Sequence, residues 1–348
     1  MLERLLIVGL GSIGTRHARL ARVVAPGVKI AAWRHRAPVG PMHAGIDVCV
    51  TDLEAALAFQ PQAAVIASPA SKHLETAVPL AEAGVHLLIE KPIASSAFGV
   101  ADLIDICSAR GVTLMTGYNL RFLHSLERFR ALLAERSVGR VMSVRAEIGQ
   151  YLPSWRPSVD YRDSVSARAD LGGGVLLELS HEIDYLNWLF GSVEWVSAIT
   201  RRQSALQIDV EDTAHLTLGF APQAGEAPVV AALSLDFIRH DMTRTCTVIG
   251  EQGTLRWDAL AGRVERFVSG VNVWETLFWQ TAPRDESYLE EWRHFLSCIE
   301  SGARPLSSGV EGLAAVRVVD AARESAAKLK VVQVGRKKTG RAALRATS

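Results

Sequence analysis

The chain predicts an α/β protein: a parallel sheet in its first third, then a second domain rich in strands. Three observations carry this. The N-terminal stretch "RLLIVGLGSIGTRHARLARVV" passes from a short apolar run through Gly9, Gly11 and Gly14 into a helical pattern. Apolar runs and helical stretches then alternate to about residue 120, as βα units do. Beyond that point the strand-like runs "RVMSVRAEI", "VEWVSAITRR", "TAHLTLGF" and "VVAALSLDF" replace the alternation, and "TCTVIGEQGTLRWD" reads as a hairpin turning between Gly250 and Gly253.

The opening strand, GxGxxG turn and helix have the order required of a dinucleotide site, a Rossmann domain. Gly9 permits the tight turn, Gly11 admits the pyrophosphate to the backbone, and Gly14 lets helix and strand pack closely. Ser12 and Ile13 open the helix, whose free N–H groups face the phosphate. "VKIAAW" is the second strand, and "WRHR" follows it. An acid at that place accepts ribose hydroxyls in NAD sites. Here Arg34 stands there, with His35 and Arg36 beside it, and a guanidinium pairs with a 2′-phosphate instead. NADP(H) is therefore expected over NAD(H), although Arg34 stacked on adenine would serve either nucleotide.

Two further strand–helix units follow, "AAVIASPASKHLETAVPLAEAG" and "VHLLIEKPIASSAFGVADLIDICSARG", and "TLMTGYN" supplies another strand. Ligands of such sheets bind beyond the carboxyl ends of the strands. Ser68 and Pro69 end one strand there, with His73 just after. Glu90, Lys91 and Pro92 end the next, which puts Lys91 in the cofactor crevice.

Bulk properties narrow the class. A chain of 348 residues, 49% hydrophobic and 22% charged, suits two globular domains. Its net charge of +1 supplies no global field toward nucleic acid or anionic membranes. Cys49, Cys107, Cys246 and Cys298 are too scattered for a CxxC zinc or redox pair, and no metal site is read. Isolated thiols, the absence of a signal-peptide pattern and the lack of a membrane-length apolar run suggest a cytoplasmic protein. The segment "GRKKTGRAALRATS", with five basic residues and no acid, reads as a solvated tail.

"GGGVLLELSHEIDYLNWLFG", residues 172–191, predicts one amphipathic helix. Leu176, Leu179, Ile183, Leu186 and Phe190 form the core stripe. Glu178, His181, Tyr185 and Trp188 form the opposite stripe, with Asp184 at its flank. That face has aromatic residues and no Lys or Arg, which marks the wall of a polar cleft rather than a solvated surface.

Taken together in order, "GLGSIGTRHA", "IEKPIA" and "GGGVLLELSHEIDYLNWLFG" resemble the Gfo/Idh/MocA oxidoreductases, the family of glucose–fructose oxidoreductase and inositol dehydrogenase. "GYNLRF" at 117–122 and "YLEEWRHFLSCIESGARPL" extend the likeness over nearly the whole chain. The resemblance implies an N-terminal Rossmann domain and a C-terminal α/β domain with a large, mostly antiparallel open sheet. Such sheets often build homodimers or homotetramers. The divisions expected are 1–119, 120–334 and a tail at 335–348. It also implies that Lys91 bonds the reacting hydroxyl near the nicotinamide. The family's later motif is an Asp, three residues, then a His; here Glu178 precedes His181 by one residue fewer.

Oxidising a secondary alcohol needs a base at the hydroxyl proton, and His181 has a suitable intrinsic pKa. Lys91 would favour the developing alkoxide, and Glu178 would orient the imidazole or contact substrate. Substrate contacts are expected from Arg121, Asp184 and the loop "YLPSWRPSVDYRDSVSARADLGGG", through Tyr151, Trp155, Arg156, Tyr161 and Arg162; the alternatives are that Asp184 holds a neighbouring backbone or side chain and that the arginines make surface ion pairs. Aromatic faces suit sugar C–H surfaces and arginines suit carboxylate or phosphate. The expected activity is an NAD(P)-dependent dehydrogenase of a sugar, cyclitol or nucleotide-linked sugar, acidic sugars included. A glycosidase with tightly held NAD and a non-catalytic nucleotide-binding regulator are the alternatives.

Overall fold

A computed structural model describes residues 2–34, 45–157, 159–222, 227–281 and 283–335. The first domain contains β1 (Arg4–Val8), α1 (Ser12–Val24), β2 (Lys29–Trp33), β3 (Val48–Val50), α2 (Leu53–Ala58) and β4 (Ala63–Ile66). It continues through α3 (His73–Glu82), β5 (His86–Glu90), α4 (Val100–Arg110) and β6 (Leu114–Gly117). The six strands form one parallel sheet in the order β3-β2-β1-β4-β5-β6. Helices cover both faces, so β4, residues 5–8 of β1 and residues 87–89 of β5 read as unbroken apolar runs that are buried. The order reverses between β1 and β4, and sheets of this kind take their ligands beyond the carboxyl ends of the strands at such a switch point.

The second domain begins with α5 (His124–Ala134), β7 (Val141–Gly149), α6 (Val175–Glu178) and α7 (His181–Phe190). Its other strands are β8 (Val193–Arg201), β9 (Thr213–Phe220), β10 (Val230–Asp236), β11 (Thr243–Gly250), β12 (Gly253–Asp258), β13 (Arg263–Val268) and β14 (Val273–Trp279). Helices α8 (Glu286–Ser301) and α9 (Gly309–Lys328) and the short β15 (Val332–Gln333) complete the chain. Nine strands make one sheet ordered β14-β13-β12-β11-β7-β10-β9-β8-β15. Every neighbouring pair is antiparallel except β7 with β10. The expected hairpin is the β11–β12 pair.

The last helices return to the first sheet. Trp292 and Phe295 of α8 pack with Leu5, Ile7 and Met115. Leu313 and Val316 of α9 pack with Leu87 and Ile93. The amide of Thr116 donates to Ser307 O at 2.7 Å. A side-chain capping box of Ser308 and Glu311 starts α9 there.

The glycine-led segment corrects the expectation of one helix. It breaks at Leu179–Ser180 into α6 and α7. The Glu182 amide donates to Leu179 O instead of the Glu178 carbonyl, which a continuous helix would use. That carbonyl accepts Lys91 Nζ at 2.7 Å. A tertiary hydrogen bond has replaced a rung of the helix, which no periodicity foretells.

Among the described residues no helix is long and apolar enough to cross a membrane. The basic tail from residue 336 onward, and His35 and Arg36, lie outside the described residues.

Candidate active site

Gly9 sits at the end of β1 with φ +88°, and a Cβ there would lie 2.8 Å from Ala67 O. A Cβ on Gly14 would lie 2.0 Å from Gly9 O. Gly11, by contrast, would place its Cβ in open space. It is the N-cap of α1, where no side chain caps the helix and no acid occupies the first turn. The first-turn N–H groups at Ser12 and Ile13 are thus open to an anion. Ser68 Oγ, beyond β4, is buried with no hydrogen-bond partner among the described residues. Arg34 follows β2 and is held by its amide bond to Val50 O at 3.0 Å. These features fit a dinucleotide lying across the carboxyl ends of β1, β2 and β4.

A test follows from the tightest of these contacts. Gly14→Ala is expected to abolish measurable NADPH binding in a fluorescence titration, because its methyl would displace the Gly9 carbonyl and open the turn. Retained affinity would show that the turn does not hold the nucleotide.

Lys91 follows β5 directly, and its peptide bond to Pro92 is cis. Glu90, buried beneath it, accepts from His17 Nε2 at 2.7 Å and from the Lys91 amide at 3.1 Å. Trp292 Nε1 donates to His17 Nδ1 at 3.0 Å, which fixes the His17 proton on Nε2, facing Glu90. Burial alone would raise the Glu90 pKa. The His17 hydrogen bond and the Lys91 charge outweigh it and hold the carboxyl below its usual value. The backbone of Lys91 is therefore anchored from behind by a buried polar chain.

The Lys91 amine reaches into the second domain. Besides its bond to the Glu178 carbonyl, it lies 3.9 Å from Glu178 Oε2. Glu178 thus serves Lys91, and the expected orienting of the imidazole by Glu178 is not what the geometry shows. His181 begins α7, is 9% exposed, and meets the edge of Tyr118 at 5.6 Å between ring centroids. Its Nδ1 is buried without a hydrogen-bond partner among the described residues. Burial first, then the charges of Lys91 and Arg244, hold its pKa well below the ordinary imidazole value. His181 is neutral at pH 7, as a base must be.

Other expected site residues have different places. Arg121 and Asp184 were expected at the substrate, but they are buried and paired with each other at 2.9 and 2.8 Å. Arg121 also donates to Leu306 O at 2.7 Å, and its guanidinium lies over Trp188. Tyr185 is wholly buried, its ring edge-on to Trp257 at 5.3 Å, so it lines no cleft. His73 bridges Pro92 O and Ser68 O at 3.0 and 2.8 Å, tying the β4 and β5 loops together rather than offering a nitrogen to the nucleotide.

The loop aromatics and arginines have partners of their own. Tyr151 stacks on His240 at 4.1 Å, Trp155 donates to Gln150 O at 3.1 Å, and Tyr161 Oη accepts from the Gln207 amide at 3.2 Å. Arg162 pairs with Asp160 at 2.9 Å. Arg156 lines a crevice beside Trp155 and Tyr161. Arg162, with Arg168 and Arg202, also borders an open hollow of about 480 Å³. Gly172, the first of the three glycines that end the loop, would set a Cβ 3.1 Å from Ala70, so the loop closes down on the turn after β4.

Sequence reasoning missed the pair Glu182–Arg244, with Arg244 Nε 2.8 Å from Glu182 Oε1. It also missed His17. The adjacency of His181 and Glu182 was visible, but a partner on β11 was not.

Residues 4–118 match the NAD-binding Rossmann-fold domain of the GFO/IDH/MocA oxidoreductase family, and residues 130–334 match its C-terminal α/β domain. D-xylose 1-dehydrogenase (NADP(+)) 2 of Haloferax volcanii is 27% identical over 81% of this chain and 83% of that protein. Myo-inositol 2-dehydrogenase of Thermotoga maritima is 24% identical over 92% of this chain and 96% of its own length. Levoglucosan dehydrogenase, solved with NADH and levoglucosan, shares the fold: TM-score 0.82 at 20% identity, over 96% of this chain and all of that one.

Proposed function

The chain belongs to the Gfo/Idh/MocA oxidoreductase family, and from that premise we propose that it interconverts a secondary alcohol and a ketone of a sugar or cyclitol, using NADP(H). One observation carries the reading: Lys91 Nζ is bonded to the backbone just ahead of a His181 kept neutral by its surroundings. When bound, the nicotinamide supplies the hydride acceptor or donor. In the oxidative direction His181 takes the hydroxyl proton. Lys91 stabilises the oxygen as negative charge builds on it, in a site where burial strengthens that interaction. Glu178 keeps the amine in place through its carbonyl and carboxylate. In reduction His181 returns the proton to the ketone oxygen.

The cofactor choice rests on Arg34, which stands beyond β2 where an acid would select NAD. The name of the Haloferax volcanii relative agrees with NADP. Fluorescence titration with NADPH and NADH tests it. A charge-assisted guanidinium–phosphate contact is expected to favour NADPH by about tenfold or more, a preference that Arg34→Ala removes. Tighter binding of NADH by the wild type would overturn the assignment.

A further inference from the structure

Glu182 follows the proposed base in sequence and is wholly buried, yet neither of its carboxylate oxygens has an aligned hydrogen bond among the described residues. Its ion partner is Arg244 Nε at 2.8 Å. A buried ion pair without good hydrogen bonds returns little stability for the desolvation it costs, so stability alone does not account for it. The two partners differ in access: the Glu182 side chain is 0% exposed and that of Arg244 17%.

Arg244 lies on β11 two residues before Cys246, whose buried thiol faces the core. Alternation along the strand puts Arg244 on the same, helix-covered face, at the end nearer the start of α7. A guanidinium has five N–H donors in a fixed fork. The contact with Glu182 occupies one edge without using it as an aligned bond. The remaining donors are left for a planar anion reaching the cleft. Glu182 directly follows His181, so the ion pair brings Arg244 to the first turn of the helix that carries the base.

We propose that Arg244, backed by Glu182, receives a carboxylate carried by the substrate, so that the enzyme selects sugar acids over neutral sugars. The proposal rests on the dehydrogenase reading above and deepens it. Glu182 acts through Arg244 as a positioning residue. A bidentate carboxylate contact fixes the sugar's orientation, and with it the hydroxyl presented to His181 and Lys91.

The experiment pairs calorimetry with turnover on the NADP-loaded protein, using D-glucuronate, D-galacturonate and D-gluconate against D-glucose, D-galactose and myo-inositol. The variants are Arg244→Met and the double change Arg244→Met with Glu182→Gln, which avoids a lone buried carboxylate should the single variant fail to fold. The expected result is a wild-type preference for an acid, reduced about 10- to 100-fold in the variants, mostly through KM, with NADPH affinity retained. Arg244-dependent binding of acids without turnover would support this site and overturn the dehydrogenase reading. Turnover of neutral sugars without acid preference, or equal losses for both classes, would overturn this site alone. Failure of both classes to bind would overturn both.

Discussion

His181→Ala is expected to lower kcat for the cognate sugar by about 10²–10⁴-fold while leaving NADPH affinity as in the wild type. The size is that of a general base whose proton acceptor is deleted from an otherwise intact site. Stopped-flow turnover with a parallel nucleotide titration separates the two quantities. The pH profile gives a second readout. Oxidation needs the neutral imidazole, and the His181 pKa is lowered by burial and then by Lys91 and Arg244. Activity should therefore persist as pH falls through the ordinary histidine range and decline only once pH passes the depressed value. Lys91→Met removes one of the repelling charges, so its slower residual reaction should show that decline at higher pH than the wild type. An unchanged limb would mean that His181 does not titrate in the rate profile.

Asp184→Ala is expected to cost about 3–5 kcal/mol of stability, because it strands the buried Arg121 guanidinium. Arg121 is 2% exposed, lies over the Trp188 ring and donates to the Leu306 carbonyl. Denaturant unfolding should report the loss, and the double variant Arg121→Met with Asp184→Leu should recover most of it. If Asp184→Ala kept full stability while raising KM, the pair would belong to substrate binding after all. This outcome separates the structural placement from the role expected from sequence.

What was legible in sequence is what acts locally. Gly9 and Gly14 are required by contacts within one strand–turn–helix, so their spacing carried the message before any coordinates. The place of Lys91 was legible because topology fixes the carboxyl end of a parallel strand, while its role at the reacting hydroxyl was what the family resemblance implied. The strand-like runs after residue 120 likewise reported a second, strand-rich domain, and its mostly antiparallel pairing was what the family resemblance implied. The missed features are all pairings across the fold. Arg121 finds Asp184, Arg244 finds Glu182, and Trp292 finds His17, each partner on a separate element. The break between α6 and α7 belongs to the same class, since the apolar stripe runs through Leu179 without a glycine or proline to interrupt it. Only the amine arriving from β5 takes the Glu178 carbonyl out of the ladder. Aromatic residues of the 151–168 loop looked like sugar platforms by composition, yet Tyr151 stacks on His240, Trp155 bonds Gln150 O and Tyr161 holds the Gln207 amide.

The return of α8 and α9 to the first sheet has a consequence for recombining such enzymes. A chimera joined near residue 120 would exchange what looks like a complete nucleotide module. It would leave behind Trp292, whose indole sets the proton of His17, and Leu313 and Val316, which cover β5 and its neighbours. The foreign module would inherit an uncovered sheet and a histidine free to change tautomer behind the lysine. The transferable unit is discontinuous: the first sheet travels with residues 286–328, and the middle of the chain is the insert.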